Sequence, residues 1–143
     1  MKIHLATDHA GLELKNIIKD YLLNKGHYVK DHGAYEYDAL DDYPDFIFPC
    51  AKAVSEDQES RGIILGGSGQ GEAMAANRIQ GCRAAVYYNG PIEIVKLSRK
   101  HNNANILSLG ARFMTQNEIF KIIEILFSET IAAGRNTRRV EKL

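Results

Sequence analysis

Apolar positions along this chain follow two alternating rhythms. Short β-prone runs at residues 2–6, 27–30, 63–65, 83–88 and 106–109 are separated by stretches in which apolar side chains recur every three to four residues. Leu14, Ile17, Ile18, Tyr21 and Leu22 fit one face of a helix over 11–25, with Gly26 as its stop. Tyr43-Pro44 opens a second helix through Phe46, Ile47, Cys50 and Val54, the proline sitting where its missing N–H does no harm. Residues 72–78 give a short helix and 91–100 another. A strong helix over 116–130 carries Ile119, Ile122, Ile123 and Leu126 on one face. Short apolar strands with helices between them predict an α/β fold: a five-stranded parallel sheet, covered on both faces and joined by right-handed crossovers. In such sheets ligands lie beyond the carboxyl ends of the strands. Asp8 and His9 follow the first strand, residues 67–72 the third, and Arg112 the fifth.

Composition narrows the class. A chain of 143 residues makes one domain, 1–143, large enough for a real core. It is 45% hydrophobic and 25% charged, as a globular protein is. A formal net charge of zero leaves no broad footprint for nucleic acid or an anionic membrane. Cys50 and Cys82 lack metal-type spacing and sit in apolar runs, so buried thiols are expected rather than a disulfide. The chain enters a strand-like run at once, without a signal-peptide pattern, and no apolar segment approaches the roughly 20 residues of a membrane span. A cytoplasmic enzyme or binding domain is the expectation.

The segment Gly66-Gly67-Ser68-Gly69-Gln70-Gly71-Glu72 carries the most chemical information, with four glycines in six positions and then a carboxylate. Strand, turn of exposed amides, helix start: this order suits an anion or an oxyanion. Three familiar loops are excluded. Glu72 and Ala73 stand where a P-loop needs Lys and Ser/Thr, G-x-G-x-G replaces the dinucleotide G-x-G-x-x-G, and Gln70 takes the final glycine of a nucleophile elbow. A turn needed only for tight packing fits the pattern too. Elsewhere Asp8 and His9 suit either ligand contact or a helix cap. His101, in Lys100-His101-Asn102-Asn103, suits proton transfer to a sugar ring oxygen or a helix C-cap. Arg112 stands alone, whereas Arg135 and Arg139 would share a helix face suited to phosphate, unless the basic run is a solvated tail. Asp38, Asp41 and Asp42 read as a solvated acidic loop rather than a metal site. A phosphate clamp, amide-rich loop, carboxylate base and histidine acid are together what an aldose–ketose isomerase needs.

Asp8-His9-Ala10-Gly11, Asp42-Tyr43-Pro44, the glycine loop with Glu72, Ala75-Ala76-Asn77, His101-Asn102-Asn103 and Gly110-Ala111-Arg112 occur in the order and spacing of the ribose-5-phosphate isomerase B family, which the chain resembles over nearly its whole length. That family includes the galactose-6-phosphate isomerase subunits. The resemblance implies a three-layer α/β/α Rossmann-like sandwich, no metal or cofactor, and a homodimer or homotetramer with active sites at the subunit interface. It implies that Glu72 moves the proton between C1 and C2 and His101 assists ring opening. Asp8 and His9 would contact the sugar or phosphate end. Gly67, Ser68, Gly69 and Gly71, with Asn102, would hold the enediolate and nearby hydroxyls, and Arg112, Arg135 and Arg139 the phosphate. Two departures stand out: Ser68 replaces the cysteine base of many members, and Asn136 stands where many have His. The expected substrate is ribose 5-phosphate; galactose 6-phosphate, allose 6-phosphate, or a non-catalytic phosphosugar-binding role are the alternatives.

Overall fold

The computed structural model describes all residues 1–143. Five strands, β1 (Lys2–Thr7), β2 (Tyr28–Asp31), β3 (Arg61–Gly66), β4 (Ala84–Tyr87) and β5 (Ile106–Gly110), form one parallel sheet in the order β2-β1-β3-β5-β4. Six helices accompany them: α1 (Leu12–Asn24), α2 (Pro44–Glu56), α3 (Gln70–Ala76), α4 (Glu93–Asn102), α5 (Gln116–Ser128) and α6 (Arg135–Val140). Single 3-10 turns follow β1 and β5, at His9–Gly11 and Ala111–Phe113. The C-terminal basic run, read from sequence as either a helix face or a solvated tail, is the helix α6.

Strand alternation sorts the core into two layers. Leu5, Ile63, Leu65, Leu107 and Leu109 face Ile18 and Leu22 of α1, Val95 of α4, and Ile119, Ile122, Ile123 and Leu126 of α5. Their neighbours Ala6, Ile64 and Ile106 face Ile47, Cys50, Ala51 and Val54 of α2 and Ala75 and Ala76 of α3. Both cysteines are buried free thiols, as expected. No helix is long and apolar enough to cross a membrane.

The connection from β1 to β2 runs to one side of β1, and β3 lies on the other. The strand order therefore reverses between β1 and β3, where a crevice opens at the carboxyl ends. Register sharpens the point: Thr7 pairs with Leu65 and Gly66 with Gly110, so β1, β3 and β5 finish side by side. Whatever follows these three strands must converge.

Candidate functional site

After β3 the chain turns through Gly67–Gly69 into α3. Gly69 has φ +77°, and a Cβ there would approach the Leu109 carbonyl carbon to 2.9 Å. Only glycine fits this position. Ser108 Oγ donates to the Gly69 carbonyl oxygen at 2.6 Å and fixes the loop on β5. Gly71 lies against the Tyr43 ring, leaving no room for a side chain. The amides of Gly67, Ser68, Gly69 and Gly71 donate to no acceptor in the chain. Four partnerless N–H groups at one turn form a cradle for negative charge.

Glu72 lies beside that cradle. It is in the first turn of α3, only 5% exposed, and its carboxylate folds back over Gly66 so closely that any Cβ there would fall on it. Burial raises the Glu72 pKa above its ordinary 4.5; its own backbone amide opposes the shift, and the charge of Asp8 adds to it. A base for carbon acids needs this kind of shift. Asp8, also buried, does cap the first 3-10 turn, its Oδ1 accepting from the Ala10 amide at 2.9 Å. Arg112 anchors its backbone N–H on the Gly67 carbonyl at 3.2 Å and lays its exposed guanidinium over Gly67.

The loop after β2 corrects one expectation. Asp38 and Asp42 are exposed, but Asp41 is turned inward, its side chain 8% exposed. Its Oδ1 accepts from the His9 backbone N–H at 3.2 Å and meets His9 Nδ1 at 2.6 Å. The hydrogen bond to Asp41 raises the His9 pKa above its ordinary 6.5. Asp8, His9 and Asp41 each place one donor atom within 4.8 Å of the others, and His9 Nδ1 and Asp41 Oδ1 are in contact with one another. Sequence reasoning missed Asp41 because an acidic loop has no periodicity to mark an inward side chain.

A second group of expected residues lies elsewhere. α4 ends on Asn103, in the left-handed region at φ +48°, so the capping reading applies to Asn103. His101 and Asn102 remain exposed. The turn that follows sits at the amino edge of the sheet: the Asn103 carbonyl accepts from Arg83 Nε at 2.8 Å, just before β4 begins. α6 packs on α4 there, exposing Arg135 and Arg139 while Asn136 is buried. A cavity of about 610 Å³ is at this edge too, lined by Gly81, Arg83, Asn102, Val140 and Leu143 among others. Within one chain, then, Asp8, His9, Gly67, Ser68, Gly69, Gly71, Glu72 and Arg112 share the carboxyl edge, and His101, Asn102, Arg135 and Arg139 the amino edge.

The family model described as Ribose/Galactose Isomerase matches residues 3–143. A ribose-5-phosphate isomerase B of Mycolicibacterium paratuberculosis is 41% identical over 144 residues, covering 100% of this chain and 89% of that protein. Among solved structures, ribose-5-phosphate isomerase B of Mycoplasma genitalium with bound ribulose-5-phosphate superimposes with a TM-score of 0.92 at 40% identity, covering 99% of this chain and 92% of that one. The Thermotoga maritima enzyme gives 0.91 at 40% identity, with 99% and 95% covered.

Proposed function

The chain belongs to the ribose/galactose isomerase family, and from that premise we propose that it interconverts ribose 5-phosphate and ribulose 5-phosphate through an enediolate. The observation that carries this reading is the Glu72 carboxylate, desolvated and placed beside four partnerless amides at the reversal of strand order. In this reading the sugar's C1–C2 end faces the loop. Glu72 removes the proton from C2, negative charge grows on the oxygen at C1, and the amides of Gly67, Ser68, Gly69 and Gly71 receive it. The O2 hydrogen passes to O1, which moves the charge to O2, and Glu72 then returns the proton to C1 as the C2 carbonyl forms. The amides are worth most after the proton has left carbon, so they favour the transition state over the bound sugar.

Two further tasks need groups from the other edge. Opening the furanose ring requires a proton donor near the ring oxygen, and we assign this to His101. Holding the phosphate requires more than one cation, and we assign Arg135 and Arg139 to it alongside Arg112 and His9, with Asn102 on the sugar hydroxyls. Because His101, Asn102, Arg135 and Arg139 are exposed at the amino edge, they serve the site of a second copy of the chain. Exposed Met74 on α3 and Ile94 and Leu97 on α4 offer apolar surface for that contact.

The test is proton exchange on a panel of sugar phosphates, with and without chelator. Ribose 5-phosphate should exchange its C2 hydrogen with solvent, with kcat/KM exceeding that on galactose 6-phosphate and allose 6-phosphate, and chelator should change nothing. A higher kcat/KM on a six-carbon substrate would transfer the assignment to that sugar. Binding without exchange on every substrate would make the chain a phosphosugar-binding protein.

A further inference from the structure

The His9–Asp41 pair has a consequence for substrate binding, which rests on His9 contacting the phosphate as proposed above. An ionised carboxylate has no hydrogen to offer, so the 2.6 Å contact between Asp41 Oδ1 and His9 Nδ1 requires Nδ1 to donate. That leaves Nε2 as the ring nitrogen without a partner in the chain, free for a ligand. In a neutral imidazole this nitrogen would be a bare lone pair, which repels a phosphate dianion; in an imidazolium it is a donor carrying positive charge.

Other surroundings agree. Asp41 Oδ2 is buried without a hydrogen-bond partner, and a carboxylate so placed is tolerated when a cation compensates it. The His9 ring, in contact with it, is the group placed to carry that compensating charge. The His9 ring also meets the Tyr37 ring edge-on, with centroids 5.9 Å apart. Of the charged groups around the imidazole, Asp8 from its own turn and Asp41 from the loop after β2 favour the proton, and Arg112 from the turn after β5 opposes it. Arg112 thus lies near enough to the His9 ring to act on it, so a protonated His9 and Arg112 would together present positive charge to an anion.

We propose that Asp41 is a positioning residue for catalysis: it holds His9 as an oriented imidazolium whose Nε2–H, with Arg112, receives the substrate phosphate. Asp41 touches no substrate in this arrangement and acts through His9 alone.

Sulfate tests this directly, because its charge is constant between pH 6 and 8. Full-length wild type and Asp41→Asn are compared for sulfate affinity across that range, and the His9 imidazole is titrated by NMR in both. In Asp41→Asn the His9 midpoint should fall toward 6.5, and sulfate affinity at pH 8 should drop by about tenfold relative to wild type, with the gap narrowing at pH 6. On ribose 5-phosphate the variant should raise KM at pH 8 with little change in kcat. Adding Asp41→Asn to His9→Asn should have no further effect on sulfate. Superimposable pH profiles, or a fall in kcat at unchanged KM, would overturn the proposal. A wild-type His9 midpoint at or below 6.5 overturns it without any variant. The sulfate and NMR measurements need no turnover, so their failure is distinct from a failure of the isomerase reading.

Discussion

Glu72 has two properties that pull in opposite directions. The burial that raises its pKa makes it a better base and also makes its ionised form costly to keep. The folded state holds the Glu72 proton more tightly than the unfolded state does. Stability is therefore lost as pH rises from the ordinary 4.5 through the raised value. Glu72→Gln removes that loss. It should lower kcat by about 10²–10⁴ while raising Tm at pH 8, with the Tm difference shrinking below pH 4.5. Parallel kinetics and thermal melts check this; unchanged kcat would remove Glu72 from its role. Gly66→Ala should lower kcat through displacement of the same carboxylate while the strand persists. A fully active Gly66→Ala would mean that the observed position of Glu72 is not the working one.

Two elements are joined by buried charge that no periodicity marks. Lys15, on the buried face of α1, is fully buried and donates to Asp31 Oδ1 at 2.6 Å and to the Ala34 carbonyl at 2.7 Å. Burial works against ionisation of Asp31, but Lys15, the Gly33 amide and Lys19 outweigh it and hold the carboxyl below its usual range. This pair pins the end of β2, from which the loop carrying Asp41 and Tyr43 departs. Lys15→Met strands Asp31 without its main partner and should cost about 3–5 kcal/mol in urea unfolding at pH 7; a loss below about 1 kcal/mol would contradict the pairing. On the neighbouring strand, burial, then the charges of His32 and Lys2, lower His4 to about 4. Between pH 6.5 and about 4 the unfolded chain takes up a proton there that the folded chain refuses. Stability should fall over that window by at most about 3 kcal/mol and level off below it. The same titration on His4→Phe should be flatter.

For the whole molecule the central matter is that the proposed machinery occupies two opposite edges. A dimer in which each copy lends His101 and the α6 arginines to the other makes a quantitative prediction. Glu72→Gln and His101→Asn, each inactive alone on cyclic ribose 5-phosphate, should recover activity when unfolded and refolded together. Half the dimers are then mixed, and each mixed dimer has one intact site of two, giving about a quarter of wild-type activity. Zero recovery, with mixed dimers present by mass spectrometry, would refute shared sites.

Much of this was legible in the order of residues, and the exceptions follow a physical rule. Hydrophobic period identifies strands and helices because each must bury one face, and the residues after strands one, three and five are marked by that rule alone. Glycine at 66, 69 and 71 announces close approach, and the motif order names the family. A polar side chain carries no such periodic mark: Asp41 pointing at His9, Lys15 buried on Asp31 and the choice of helix over tail for α6 depend on what the folded chain brings alongside. The raised pKa of Glu72 is of the same kind. Desolvation and the nearness of Asp8 are distances between residues far apart in the chain, so they come into being only when β1 and β3 pair.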